Sequence, residues 1–302
     1  MIQFNHLNSN AKNYPKPLIP ALPITDFSSY SLTATKKAET PFLEQGVFYS
    51  NARSALANAL SLANVNNNTS VLMPAYHCGS MIEPALWLKS DVLLYKINKD
   101  LSPDTEHIQY LLNNSKKKIT AMLLPHYFGF LQNSDYWRDV CDQHKIILIE
   151  DCAHGVGTSY NKKHVGNFGN AGCFSFYPTK NFTTIEGGMV ITNSKRIAEY
   201  VTSARSHGLT RSLANRYSKG KPWDYDIINP GFNYRLDEIR ASLGINQLKR
   251  INSLNSKRFL ASKYYSKQLE EISGITTPEI FRKKEHTYHL YIIRIKNGFG
   301  QN

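Results

Sequence analysis

The stretch Gly172-Cys173-Phe174-Ser175-Phe176-Tyr177-Pro178-Thr179-Lys180 opens as a short apolar strand, turns at a proline and ends on a lysine. Upstream, Ile146-Ile147-Leu148-Ile149 is a second apolar run of strand length, and it stops at Glu150-Asp151. Near-continuous apolar runs of this kind are strands covered on both faces. Outward from these two, Ser70 to Met73 (stopped by Pro74), Asp91 to Ile97, Ile119 to Leu124 and Met189 to Thr192 read as further strands. Asn51 to Ala63, Ser134 to His144 and Lys195 to Ser206 carry helical spacing between them. Strands alternating with helices predict an α/β fold with a mainly parallel sheet flanked by helices. Such sheets bind ligands at the carboxyl ends of their strands. Asp151 and Lys180 both fall there.

The rest of the chain adds two flanking pieces. Residues 1–45, with prolines at positions 15, 17, 20 and 23, read as an N-terminal arm ahead of a large unit over 46–235. A helical stretch from Leu236 to Ile272 then leads into His286 to Lys296, where Tyr-His-Leu-Tyr-Ile-Ile-Arg-Ile suggests one strand of a smaller C-terminal α+β domain. The segment 236–302 is thus expected to be a linking helix and a partial small domain.

Charge and cysteine usage narrow the function classes. The 302 residues hold 36 Lys plus Arg against 23 Asp plus Glu, a formal charge of +13. The positive residues are dispersed, with short clusters at Lys116-Lys117-Lys118, Lys257-Arg258 and Arg282-Lys283-Lys284. No nucleic-acid-binding motif accompanies them, so they read as solvated faces rather than a nucleic-acid surface. Cys78, Cys141, Cys152 and Cys173 have no metal-ligand spacing, and no metal site is expected. No run reaches membrane-span length and the N-terminus has no secretory pattern, which points to a cytoplasmic protein with reduced thiols.

Taken alone, Asp151 reads equally as a cap and Lys180 as one surface lysine among many. Together at a sheet's ligand edge they match the needs of pyridoxal 5'-phosphate (PLP). That cofactor needs a lysine to carry it as a Schiff base and to move protons. It also needs a carboxylate at its pyridine nitrogen. Its phosphate suits the N–H groups of a helix N-terminus, which the Ser50-Asn51-Ala52-Arg53-Ser54 entry to the first helix would supply.

Five motifs then occur in order: Glu-Asp-Cys-Ala-His (150–154), Gly-Asn-Phe-Gly-Asn-Ala-Gly-Cys-Phe-Ser-Phe-Tyr-Pro-Thr-Lys-Asn (166–181), Glu-Gly-Gly (186–188), Ser-His-Gly (206–208) and Gly-Phe-Asn-Tyr-Arg-Leu-Asp-Glu-Ile (231–239). Together they resemble the DegT/DnrJ/StrS-type sugar aminotransferases, a branch of the fold type I PLP enzymes. The resemblance runs from about Phe48 to at least Leu248 and into the strand near His289.

That resemblance implies Lys180 as the Schiff-base lysine and Asp151 as the partner of the pyridinium. It implies Ser175 on the phosphate, His154 near the phenolic oxygen, and Asn233 reaching the phosphate of a neighbouring subunit in a homodimer. The family's phosphate loop often reads Ser-Gly-Thr-x-Ala-Leu, where this chain has Asn51-Ala52-Arg53-Ser54-Ala55-Leu56. Ala52 and Arg53 take that place, with Arg53 free to meet the phosphate or the substrate. The aromatic residue that stacks on the cofactor aligns with Cys78, beside Tyr76 and His77. His77 is taken as the stacking residue. The implied reaction moves an amino group from an amino acid, glutamate by expectation, to a nucleotide-linked keto-sugar for amino-sugar or surface-polysaccharide synthesis. The related sugar dehydratases replace the lysine with histidine, and this chain keeps Lys180. Family members continue past the strand near His289 with a helix and further strands, so the small domain is expected to be incomplete. A non-catalytic paralogue that binds PLP or partners is the alternative reading.

Overall fold

The computed structural model describes residues 46–210, 223, 225–277 and 286–295. The N-terminal arm over 1–45, the Arg282-Lys283-Lys284 cluster and residues 296–302 lie outside the described residues. The centre of the fold is a sheet of β1 (Val47–Tyr49), β2 (Thr69–Pro74), β3 (Asp91–Tyr95), β4 (Lys118–Pro125), β5 (Ile147–Asp151), β8 (Ala171–Ser175) and β9 (Gly188–Ile191). Its order is β1-β9-β8-β5-β4-β2-β3. The run from β8 to β3 is parallel throughout, and β9 and β1 add antiparallel at one edge. The chain steps outward from β2 to β3, then returns past β2 to β4 and runs on to β5 and β8. The order therefore reverses between β2 and β4, and the crevice at such a reversal is where a doubly wound sheet binds ligands.

Alternation along each strand sends side chains to two cores. Val71, Met73, Ala121, Leu123 and Ile149 pack on one face with Ala55, Leu56, Ala59 and Leu60 of α1 (Ala52–Leu62) and with Ile197 and Val201 of α5 (Lys195–Ala204). Leu72, Met122, Leu124 and Leu148 pack on the other with Ile108 of α3 (Thr105–Asn114) and Trp137 and Cys141 of α4 (Ser134–Gln143). Side-chain caps start these helices: Asp104 accepts from the His107 N–H at 2.9 Å, and Ser194 from that of Ile197 at 3.4 Å. The helix α2 (Gly79–Trp87) follows β2, and the long α6 (Glu238–Leu269) leaves the sheet unit, capped where Asp237 accepts from the Arg240 N–H.

The expected strands and helices stand within a few residues of their observed bounds. Unforeseen are β1, α2, α3, the hairpin of β6 (Ser159–Tyr160) and β7 (Lys163–His164), and β10 (Ile275–Thr276). The expected strand over His286 to Lys296 is corrected. Among its described residues, 286–295, only Arg294–Ile295 is strand (β11), and it pairs antiparallel with β10. His286, Thr287 and Tyr288 are instead buried against the turn at Tyr127–Phe130, and Tyr288 takes a left-handed φ of 48° that breaks any strand there.

Candidate active site

Glu150, the residue before the last of β5, is fully buried and surrounded by donors. His126 Nε2 donates to it at 2.8 Å, and the N–H groups of Gly166, Phe168 and Gly169 at 3.1, 2.8 and 2.6 Å. Burial opposes its charge, but His126 and these N–H groups outweigh burial and hold the carboxyl below its usual range. The Gln132 N–H donates to His126 Nδ1 at 3.2 Å, which leaves the ring proton on Nε2. This dry network ties the end of β5 to β4 and to the loop after β7.

Asp151 follows directly and ends the strand. It is 8% exposed, and among the described residues its carboxyl takes one hydrogen bond, from the Ala153 N–H at 2.9 Å. Burial pushes that carboxyl up, opposed by Ala153, Lys180 and His126. Lys180 is displaced the other way: burial lowers its ammonium, partly offset by Asp151 and Cys78. The loop that carries Lys180 is knotted by its own threonines. Thr183 Oγ1 donates to the Phe176 carbonyl at 3.0 Å, Thr184 Oγ1 to that of Glu186 at 2.8 Å, and the Lys180 N–H bonds the Tyr177 carbonyl at 3.0 Å.

Asp151 and Lys180 line a cleft of about 710 Å³ together with Ala52, Arg53, Ser175 and Cys78. Asn51 caps α1 by accepting from the Ser54 N–H at 2.9 Å, and the first-turn amides of Ala52 and Arg53 have no intrahelical acceptor. Gly188 of β9 runs so close to this helix start that a Cβ there would come 2.5 Å from the Ala52 nitrogen. A lysine, a buried carboxylate, a strand-end serine and open helix N–H groups around one cleft are a donor set that fits PLP. Arg53 is held by Glu83 of α2, Nε to Oε2 2.9 Å.

His77 is not in the cleft lining; its Nδ1–H bonds the carbonyls of Pro74 at 2.9 Å and Ala75 at 3.1 Å. Tyr76 rests against Tyr127 with ring centroids 5.5 Å apart. Cys78 does line the cleft, and Ser80 Oγ donates to its sulfur at 3.2 Å. His154 sits outside the lining, between the rings of Phe128 and His289. Asn233 is exposed, bridged to Ser206, and not among the residues lining the cleft of its own chain. Glu186, read from the sequence as part of a Glu-Gly-Gly backbone feature, lines the cleft, and Asn181 and His289 contact each other beside Lys180. Asn181 closes the lysine motif and His289 stands in the Tyr-His-Leu-Tyr run, and these positions were the available signals.

The model of the DegT/DnrJ/EryC1/StrS aminotransferase family matches residues 42–302. The chain belongs to this family. An uncharacterized protein of Methanocaldococcus jannaschii, MJ1066, is 35% identical over 211 residues, covering 68% of this chain and 55% of that one. The spore coat polysaccharide biosynthesis protein SpsC of Bacillus subtilis is 32% identical over 192 residues, covering 61% and 49%. Among solved structures, Helicobacter pylori PseC, an aminotransferase involved in the biosynthesis of pseudoaminic acid, superposes with a TM-score of 0.73 at 25% identity over 83% of this chain and 65% of that one. This member of the family thus spans about half the length of the curated relatives it matches.

Proposed function

We propose that this chain is a PLP-dependent aminotransferase that passes an amino group from an amino acid, glutamate in the first instance, to a nucleotide-linked keto-sugar. The observation that carries the reading is Asp151 and Lys180 on one cleft beside the start of α1. PLP supplies an electron sink for the carbon that loses or gains the amino group. Asp151 would hold a proton at its ring nitrogen, and its buried, singly bonded carboxyl is suited to take that one further donor. Lys180 Nζ would carry the cofactor and then move the substrate's proton, for which a lowered pKa is an advantage. Ser175 and the open amides of Ala52 and Arg53 would bind the phosphate. His154 would keep its expected place near the phenolic oxygen, and Cys78, rather than His77, would face the ring.

The names of SpsC and PseC favour a sugar substrate for amino-sugar synthesis, and the net charge of +13 suits a nucleotide diphosphate. A homodimer fits the exposed Trp223, Ile227, Ile228 and Phe232, which precede Asn233 in the segment between α5 and α6. We assign the large unit to 46–235, followed by a linking helix and small-domain residues from 236 onward. A cytoplasmic setting is consistent with the absence, among the described helices, of any long and apolar enough to cross a membrane.

The test is direct. Protein supplied with PLP and then borohydride should carry one pyridoxyl group, and peptide mapping should find it on Lys180. Label on a different lysine would remove the reading.

A further inference from the structure

Three rings pile up beside Lys180. Phe128 and His154 stack with centroids 6.0 Å apart at 12°, and His154 and His289 with centroids 4.2 Å apart at 20°. The outer ring comes from the far end of the described chain. Its backbone is pinned to the same wall, because the His289 N–H donates to the Phe128 carbonyl at 2.8 Å and the Thr287 N–H to that of Gly129 at 3.3 Å. Thr287 Oγ1 also donates to the His154 carbonyl at 2.9 Å.

His289 reaches the lysine loop through a short bond. Its Nδ1–H donates to Asn181 Oδ1 at 2.7 Å, and Asn181, 5% exposed, spends its Nδ2 on the Thr287 carbonyl at 3.0 Å and on Asn255 Oδ1 at 3.3 Å. Asn181 is the residue after Lys180, so the direction in which the lysine leaves the backbone is set by what holds Asn181. Loss of the His289 donor would leave a buried amide oxygen unpaired.

We propose that His289 is a positioning residue for Lys180. Its ring roofs His154, and its N–H fixes Asn181, the residue that follows the lysine. This rests on the proposed role of Lys180 and deepens it. The charged and titratable groups around the pair are Asp151, Cys78 and His154 toward Lys180, and Arg258 of α6 toward His289. Burial pushes His289 down to about 3, so it acts as a neutral donor to Asn181 rather than by its own charge.

Removing the ring should loosen Asn181 and the lysine loop beside it, and a more hydrated amine favours the ammonium. The experiment measures borohydride fixation of PLP on Lys180 as a function of pH, in the full chain and in His289→Ala, His289→Phe and His289→Asn. In His289→Ala the midpoint should move to higher pH by about one unit, a tenfold change in the neutral fraction. Phe keeps a stacking ring without the donor and Asn keeps a donor without the ring, so each should shift less than Ala. Amide exchange without cofactor is the second arm: residues 180–184 should exchange faster in His289→Ala than in the unaltered chain. Midpoints that coincide in all four proteins overturn the proposal, as does unchanged exchange. If PLP never labels Lys180 in the unaltered chain, the reading of the cleft fails instead, and the exchange arm still decides the place of His289.

Discussion

Burial displaces Asp151 and Lys180 in opposite senses, the carboxyl upward and the ammonium downward, within a single cleft. Each is the other's main nearby opposite charge, and among the described residues neither is satisfied by a close ion pair. Two groups brought toward neutrality in this way are available for a ligand that offers one a cationic donor and the other a carbonyl carbon.

Asp151→Asn removes the negative charge and keeps the shape. Cofactor fixation on Lys180 should survive, and amino transfer should fall roughly 10²-fold or more, since a neutral amide cannot hold a proton at the ring nitrogen. Single-turnover kinetics on the holoenzyme measure this. Turnover near that of the unaltered protein would remove Asp151 from its assigned place.

The four thiols should separate sharply. Cys78 is exposed and lowered, chiefly by the hydrogen bonds from Ser80, whereas burial raises Cys141 to about 12 and carries Cys152 and Cys173 up as well. A thiolate reagent at neutral pH should therefore titrate one cysteine rapidly in folded protein. Cys78→Ser should abolish that fast phase, Ser80→Ala should slow it, and PLP should protect against it. Rapid labelling that PLP leaves unchanged would mean Cys78 does not flank the cofactor.

Mild acid should destabilise the fold through two buried histidines. Burial lowers His154 to about 2 and His289 to about 3, against an ordinary value of 6.5. Below 6.5 the unfolded chain binds protons at these sites and the folded chain does not, so stability is lost as pH falls from there toward the folded values. At pH 5 the loss should be up to about 2 kcal/mol per histidine. Denaturant midpoints between pH 7 and pH 5 report it, and His289→Phe should flatten the slope by about one proton.

Subunit complementation checks Asn233. Lys180→Ala and Asn233→Ala chains, each impaired alone, should regain activity when mixed, because a mixed dimer holds one site with both residues intact. A monomer by light scattering with full activity would rule out a shared site.

Much of this was legible because the chemistry sits at strand ends. Ile146 to Ile149 and Gly172 to Tyr177 are apolar enough to be recognised as buried strands, and that recognition alone delivers Asp151 and Lys180 to one edge of a sheet. The helix over Thr105–Asn114 was not legible, since Ile108 is its single buried residue. Pro84 inside Gly79–Trp87 masks that helix in the same way. Residues Tyr288 to Ile295 misled for a different reason: apolar side chains at alternate positions promise a strand, but Tyr288 satisfies its burial against Phe130 and Phe259 in a turn. His289 could not be assigned to the site while that segment was read as part of a separate sheet. Choosing among Tyr76, His77 and Cys78 needed the path of the backbone after Pro74, which residue type does not reveal.

The bonds from Asn181 to Thr287 and from His289 to Asn181 join positions 106 and 108 apart in the chain. A ribosome that has just released Lys180 has therefore made a lysine without its pocket. For the whole span of α5 and α6 the emerging protein carries the sheet, the carboxylate and the amine, but one side of the lysine loop has nothing to rest on. Loading of the cofactor should then come late in the life of the chain, after the segment at 286–289 has left the exit tunnel, and pyridoxal added to shorter nascent chains should exchange freely.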